Sequence, residues 1–282
     1  MSATLRDLAR DTMQILHAGG YRTPGGGSVD LTDAIRAAVA GTQLHQPGQP
    51  LPARPPTGPP PTVSVTGEST LAATRRLAAD GDGDVAALVF ASAKHPGGGF
   101  RTGAQAQEEG LARTSALYSC LTAVPQFYTF HRSRSDNLYS DRVIYSPRVP
   151  VFRDDDGRLL ATPYPVSFLT AAAPNRGAVP AGRAGQVAAA LAGRALRVLA
   201  VAAAHGHRRL VLGAWGCGVF RNDPNIVAGA FADALEHSAG CFDDVVFAVL
   251  DHAKGAPVRT AFTNRFPPLE TAGDMIGGAE AR

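Results

Sequence analysis

Lysine is nearly missing from this chain. Of 27 basic residues only Lys94 and Lys254 are lysine, and the rest are arginine. With 31 glycines, 21 prolines and abundant alanine, this bias fits a GC-rich genome more simply than an arginine-built phosphate surface. Charge of either sign is also sparse, at 18%, and the net charge is +3. That is too mild to argue for nucleic-acid binding by itself. Three cysteines, Cys120, Cys217 and Cys241, are far apart and form no CxxC pair, which excludes a zinc ribbon or a disulfide framework. The longest apolar stretches, such as Val198 to Ala204, are far too short to span a bilayer. Met1 to Gly20 lacks a basic region followed by an apolar run, so no signal peptide is expected. A reducing cytoplasm is the expected compartment, and no membrane partner is expected.

What is present is enough for a substantial core: 282 residues, 45% of them hydrophobic. Residues 3–18 place Leu5, Leu8, Ala9, Thr12, Met13 and Leu16 at helical spacing. Residues 41–62 are proline-dense, with Pro55-Pro56 and Pro59-Pro60-Pro61, and read as a surface loop inserted in the domain. The chain then alternates. Strands are predicted at 63–66, 85–92, 142–146, 149–153, 158–162, 166–172, 209–214 and 245–250. Helices are predicted at 69–79, about 105–119, 186–205, and from Asp223-Pro224 to about Ser238. Asp155-Asp156-Gly157 reads as a hairpin turn. This alternation defines an α/β layered fold, whose ligands gather beyond the carboxyl ends of the strands.

Two glycine-rich turns each follow a predicted strand and precede a helix. The first holds Gly97, Gly98 and Gly99 and runs on to Gln107, Glu108 and Glu109. The second is Gly213-Ala-Trp-Gly-Cys-Gly218, followed by Val219 and Phe220. Bare backbone amides at a helix start suit an anionic ligand, and the stretch Gly216 to Phe220 fits a diphosphate cradle. A tight strand-to-helix turn with no ligand is the competing explanation. Neither turn carries a Walker Gly-Lys-Ser/Thr or a full G-x-G-x-x-G. Gly25-Gly26-Gly27, with no carboxylate pair behind it, reads as a plain turn.

Glu108 and Glu109 fall in the first turns of their helix, where the helix dipole favours carboxylates. Neighbours on a helix point about 100° apart, so one can face the crevice while the other reaches its edge. Two close negative charges raise the pKa of at least one, and a glutamate so tuned can act as acid and then base. Glycosidic cleavage most needs this, because its leaving oxygen must gain a proton.

The triplet, a seven-residue spacer and Gln107-Glu108-Glu109 together resemble the signature of poly(ADP-ribose) glycohydrolases. The microbial-type branch is also resembled by Gly20-Tyr21, by Tyr139 to Pro147, by Val149 to Asp154 and by Gly213 to Phe220. The likeness implies a macrodomain-like three-layer α/β/α sandwich with a mixed central sheet and an N-terminal helical extension. It implies one catalytic domain over 1–282, with residues up to about 62 as that extension.

The resemblance further implies that Glu109 protonates the ribose–ribose glycosidic oxygen and that Glu108 holds ribose hydroxyls. Gly97, Gly98 and Gly99 would shape the loop beside the scissile ribose, and Gln107 would belong with the substrate-binding residues. Gly216, Cys217, Gly218 and Val219 would bind the diphosphate, and Phe220 would pack on the terminal ribose and favour cleavage at chain ends. His95 stands where that branch is expected to carry a ribose-contacting asparagine; it either alters that contact or merely packs the loop. ADP-ribose, poly(ADP-ribose) and ADP-ribosylated macromolecules are the implied partners of a monomeric enzyme with no metal and no cofactor.

Other readings stay open at this stage. One is removal of single ADP-ribose units from protein or nucleic acid, and another is an ADP-ribose reader that does not cut. His205-Gly-His207 could suggest a metal pair, but no carboxylate or cysteine cluster accompanies it and it sits at a helix end. Cys217 could be a nucleophile, though its glycine neighbours better explain a small loop residue. Trp215 borders a glycine loop and could line a pocket or pack in the core.

Overall fold

The computed structural model describes residues 4–52, 57–80 and 84–268. Pro55-Pro56 therefore lies outside the described residues. In chain order the elements are α1 (Leu5–Ala18), β1 (Gly20–Arg22), β2 (Ser28–Asp30), α2 (Thr32–Gly41), β3 (Gln43–His45), β4 (Thr62–Thr66), α3 (Thr70–Ala79) and β5 (Val85–Phe90). Then come α4 (Gln107–Thr114), α5 (Leu117–Thr122), α6 (Pro125–Arg132), β6 (Val143–Arg153), β7 (Leu159–Ala171) and α7 (Gln186–Ala204). The chain closes with β8 (Arg209–Leu212), α8 (Pro224–His237), β9 (Asp244–Ala248) and α9 (Pro257–Arg265). Caps follow from the sequence. Thr4 and Asp7 form a reciprocal capping box on α1, Ser69 caps α3, and Asp223 caps α8 ahead of Pro224.

Among the described residues one seven-stranded sheet runs in the order β3-β6-β7-β5-β8-β9-β4. Strands β7, β5, β8, β9 and β4 are parallel neighbours, while β3, β6 and β7 pair antiparallel. The carboxyl ends of β4, β5, β8 and β9 thus share one edge of the sheet. Strand β5 is covered on both faces, as a central parallel strand must be, so Val85 to Val89 are all apolar and buried. One face packs Leu88, Leu210 and Phe247 against Val198, Leu199 and Phe231 from α7 and α8. The other packs Val89, Phe168 and Val211 against Leu77, Leu117 and Phe127 from α3, α5 and α6. The result is a three-layer α/β/α sandwich with a mixed sheet, as expected.

Several local expectations are corrected. The segment 41–62 is not loop throughout, because Gln43–His45 joins the sheet edge, pairing antiparallel with β6. The plain turn at Gly25-Gly26-Gly27 closes the β1–β2 hairpin. The helix expected over 105–119 breaks at Ser115, whose backbone is extended and bridges to Val151, so α4 and α5 are separate. Strands expected at 142–146 and 149–153 are one, β6, with a register shift between Ser146 and Val149; those at 158–162 and 166–172 are likewise one, β7. Helices α2, α6 and α9 were not predicted.

Helix α7 has 19 residues and a mean hydropathy of 1.7, enough by length and composition to cross a membrane. Here it is a core helix. Arg194 at its middle is buried, and its guanidinium donates to the carbonyls of Ala172 (2.6 Å) and Leu138 (3.0 Å) and to Asp141 (3.0 Å). Removing it would leave the carbonyls of buried Ala172 and Leu138 without this donor, at about 1–3 kcal/mol for an unsatisfied buried acceptor.

Helix α1 buttresses the region around α4. The Thr12 hydroxyl donates to the Arg113 carbonyl (2.6 Å), Arg6 Nε donates to the Thr102 carbonyl (2.8 Å), and Arg153 pairs with Asp11.

Candidate active site

Strand β5 ends at Phe90, and the chain turns through the glycine triplet into α4. Gly97 and Gly98 both have positive φ, +68° and +58°, which a side chain rarely tolerates. At Gly98 a Cβ would overlap the Glu109 carboxylate and come within 3.2 Å of Glu108 Oε2. The Gly98 N–H donates to the His95 carbonyl (3.0 Å), and the Gly99 N–H donates to Glu109 Oε1 (2.9 Å). The missing side chain at Gly98 is therefore what lets two carboxylates sit against this turn.

The two glutamates differ sharply. Glu108 is only 3% exposed, and its Oε2 accepts from the Ser92 N–H (2.6 Å). Its other oxygen, Oε1, has no hydrogen-bond partner. Burial holds the Glu108 carboxyl well above the ordinary carboxylate range; the Ser92 N–H opposes that rise and the nearby Glu109 charge adds to it. The raised pKa anticipated for the pair thus belongs to Glu108, and burial causes it before charge repulsion does. Glu109 is half-buried. Arg113, one helical turn on, lies close enough for the Glu109 charge to favour its guanidinium form, although burial still lowers its pKa. The Glu109–Arg113 spacing of four residues on one helix face was the available signal for it.

Gln107 is fully engaged by its own chain. Its Oε1 accepts from the Phe90 N–H (2.9 Å), and its Nε2 donates to the Leu88 carbonyl (2.7 Å) and to Thr70 Oγ1 (3.1 Å). It fastens α4 to the end of β5. The His95 side chain is exposed, and the backbone N–H of His95 donates to Ser92 Oγ (3.2 Å).

The second turn follows β8. Gly216 has φ +73°, and a Cβ there would overlap the Asn222 amide and sit 2.7 Å from Ala173. Gly218 is the reverse: nothing lies within 4 Å of a Cβ built on it. Val219 is 83% exposed, and Phe220 lies 6.0 Å from Tyr139, ring centre to ring centre. Cys217 has its pKa pushed up to about 12, by burial first and then by the Asp223 charge, so it is a poor source of thiolate. Trp215 is core, with its indole N–H donating to the Ala171 carbonyl (3.0 Å).

That carbonyl joins the two turns. The Ala91 N–H, at the start of the first, donates to the same Ala171 oxygen (3.2 Å). Gly213 also abuts Phe90, whose Cζ would be 3.0 Å from a Cβ there. A cavity of about 710 Å³ lies along the carboxyl ends of the strands, lined by Phe90, Gln107, Gly110, Cys217, Gly218 and Leu250, among others. Neither glutamate lines it, because both carboxylates turn toward the triplet. A second cavity, of about 610 Å³, lies beside Arg176, Arg221 and Ile226.

His205 and His207 lie elsewhere, at the amino end of β8. His205 stacks on Tyr145 at 3.6 Å with its Nε2 3.0 Å from His45 Nε2, and His207 Nε2 is 2.9 Å from the Tyr145 hydroxyl. Among the described residues no group of three or more His, Cys, Asp or Glu is placed to hold a metal ion.

A buried and a half-buried carboxylate held against one glycine turn, with an open amide turn at the neighbouring strand end, fit one class: an α/β/α glycosidase for a ligand with an anionic linkage. A family model described as the microbial-type PARG catalytic domain matches residues 9–154. A solved poly(ADP-ribose) glycohydrolase from Thermomonospora curvata is 53% identical, with a TM-score of 0.88 over 93% of this chain and 99% of that one. The same enzyme bound to the inhibitor ADP-HPD is 52% identical, with a TM-score of 0.86 over 93% and 99%. A Deinococcus radiodurans poly(ADP-ribose) glycohydrolase in complex with ADP-ribose is 46% identical, with a TM-score of 0.78 over 88% and 100%. No curated protein matches. The chain belongs to the microbial-type poly(ADP-ribose) glycohydrolase family, and is an O-glycosidase that hydrolyses ribose–ribose bonds.

Proposed function

We propose that Glu109 is the acid of that hydrolysis and that the chain releases ADP-ribose from the ends of poly(ADP-ribose). The carrying observation is the Glu109 carboxylate, half-buried and held by the Gly99 N–H against a turn that is joined through the Ala171 carbonyl to the open turn at Gly218. A proton passes from Glu109 to the glycosidic oxygen as the bond from that oxygen to the anomeric carbon breaks. Water then adds to the anomeric carbon, and its proton returns to Glu109.

The other roles follow from placement. Gly97, Gly98 and Gly99 let backbone approach the ribose while leaving room for the carboxylates. Glu108 supports that subsite from beneath by fixing Ser92, and its unpartnered Oε1 is available to a ribose hydroxyl once the loop shifts. Gln107 positions α4 at the edge of the cavity. The amides from Gly216 through Val219 cradle the diphosphate, where Gly218 is unobstructed. Phe220 packs on the terminal ribose, and exposed His95 borders the neighbouring unit. The domain is macrodomain-like, acts as a single catalytic unit across 1–282, and works in the cytoplasm as a monomer on ADP-ribosylated macromolecules.

Incubation with poly(ADP-ribose) tests this: wild type is expected to release free ADP-ribose, and Glu109→Ala is not. Full release by the variant, or none by wild type, contradicts the reading. His95 motivates a second reading, removal of single ADP-ribose units, which predicts faster turnover of mono-modified protein than of polymer.

A further inference from the structure

Beside the glycine triplet lies a group of cations for which the reaction at Glu109 has no use. Arg132, at the end of α6, donates to the Lys94 carbonyl (2.8 Å), which pins that helix to the loop leading into the triplet. Two residues back, the Phe130 ring carries two guanidinium groups, Arg142 at 3.3 Å and Arg134 at 4.2 Å from its centre. Lys94, Arg132, Arg134 and Arg142 have no ion-pair partner among the described residues. The nearby acids are taken: Asp136 pairs with Arg183, and Asp141 with Arg194. Like charges held this close repel, and burial first and then Arg134 lower the pKa of Arg142, although the Asp136 carboxylate also lies near enough to feel the Arg134 charge.

The cluster is tied to the cleft. Phe130, His131, Tyr139 and Phe220 form a chain of neighbouring rings at 5.3, 5.7 and 6.0 Å, ending in the second glycine turn. Such stacking holds guanidinium groups in place before any ligand arrives, which lowers the entropy lost on binding. Their planar forks match phosphate oxygens.

We propose that Lys94, Arg132, Arg134 and Arg142 bind the diphosphate of the second ADP-ribose unit, the one on the leaving side of the scissile bond. This rests on the glycohydrolase reading. The leaving oxygen belongs to the adenosine ribose of that unit, whose own diphosphate is one nucleoside away. A ledge flanking the triplet is where it must emerge. The ledge therefore favours polymer over an isolated ADP-ribose group.

Steady-state kinetics on long poly(ADP-ribose), with Arg134→Ala and Arg134→Ala/Arg142→Ala, test the assignment. Arg134 is exposed, so its replacement leaves the fold intact even where the double change does not. The expected result is a polymer KM about tenfold higher in the double variant, as about 1.4 kcal/mol of weaker binding gives. The kcat and the Kd for free ADP-ribose stay at wild-type values. The salt dependence of polymer binding flattens by about 0.7 in log–log slope for each phosphate no longer neutralised. An unchanged polymer KM and slope in variants of an active wild type overturns the proposal. So does a matching rise in the Kd for ADP-ribose, which would place the cluster in the terminal-unit site. Loss of single-stranded DNA binding with polymer KM unchanged would assign it to nucleic acid instead. Failure of wild type to cut polymer would sink the glycohydrolase reading and this assignment with it, whereas an unchanged KM in an active enzyme sinks this assignment alone.

Discussion

The two glycine turns omit side chains for opposite reasons. Around Gly98 the space is filled by the protein itself: the Glu109 and Glu108 carboxylates lie where a Cβ would go. Around Gly218 it is filled by nothing, and the backbone stands open. Gly216, two residues earlier, behaves like the first turn, being packed on Asn222 and Ala173. A glycine can thus mark where chemistry is held or where a ligand is admitted, and a sequence motif does not distinguish the two. The first turn is packed and armed; the second is a receptacle. Both are fastened to one carbonyl at the end of β7.

Removing the acid should give the largest effect. Glu109→Gln keeps an acceptor for the Gly99 N–H but has no proton to give, so polymer turnover should fall about 10²–10⁴-fold in single-turnover assays. Next is Gly98→Ala. Its Cβ displaces the carboxylates, and a misplacement of ~1 Å costs about 10²-fold in kcat/KM. Its left-handed backbone adds about 1–2 kcal/mol of destabilisation, readable by urea unfolding.

A matched pair in the second turn sharpens the contrast. Gly216→Ala should destabilise the fold by about 1–3 kcal/mol through overpacking. Gly218→Ala should leave stability within about 0.5 kcal/mol of wild type. It should nevertheless weaken ADP-ribose binding about tenfold in calorimetry, equivalent to about 1.4 kcal/mol.

The smallest effect is a pH slope. Burial raises the Glu108 pKa in the folded state, so its contribution to stability is complete below the unfolded value, about 4.3, and is lost as pH rises through the folded value. Glu108→Gln should remove that loss. Relative to wild type, the variant should gain stability from pH 5 to pH 8, by about 1.4 kcal/mol per unit of pKa elevation crossed. A constant difference across that range would contradict the sign.

The sequence made the parallel half of the sheet legible. Strand β5 is a run of apolar residues, Ser69 and Asp223 cap their helices, and each glycine turn follows its strand. The antiparallel edge was less so. Pro147 in β6, and Pro163 and Pro165 in β7, fall in the gaps between predicted strands, yet Pro165 faces Pro150 across one continuous ladder with register shifts. Three residues, Gln43–His45, carry too little periodicity to announce β3 within a proline-dense stretch. Helix α9 is started from a distance: Asp251 accepts from the Val258 N–H (2.8 Å), and no side chain at its N-cap, Ala256, does so.

At the site, the glutamates and both turns were found from the motif. Which glutamate is buried was not, because that depends on Ser92 and on how α4 seats against β5. The engagement of Gln107 with Phe90, Leu88 and Thr70 is likewise a tertiary fact, with no local signature.

A crystal structure of Glu109→Gln with ADP-ribose tests the central claim most directly. The ribose should lie within hydrogen-bond distance, about 3 Å, of the residue 109 side chain, with phosphate oxygens at similar distance from the amides of residues 216–219. A ligand seated instead in the cavity beside Arg176 and Ile226, or one touching only a single turn, would contradict the account.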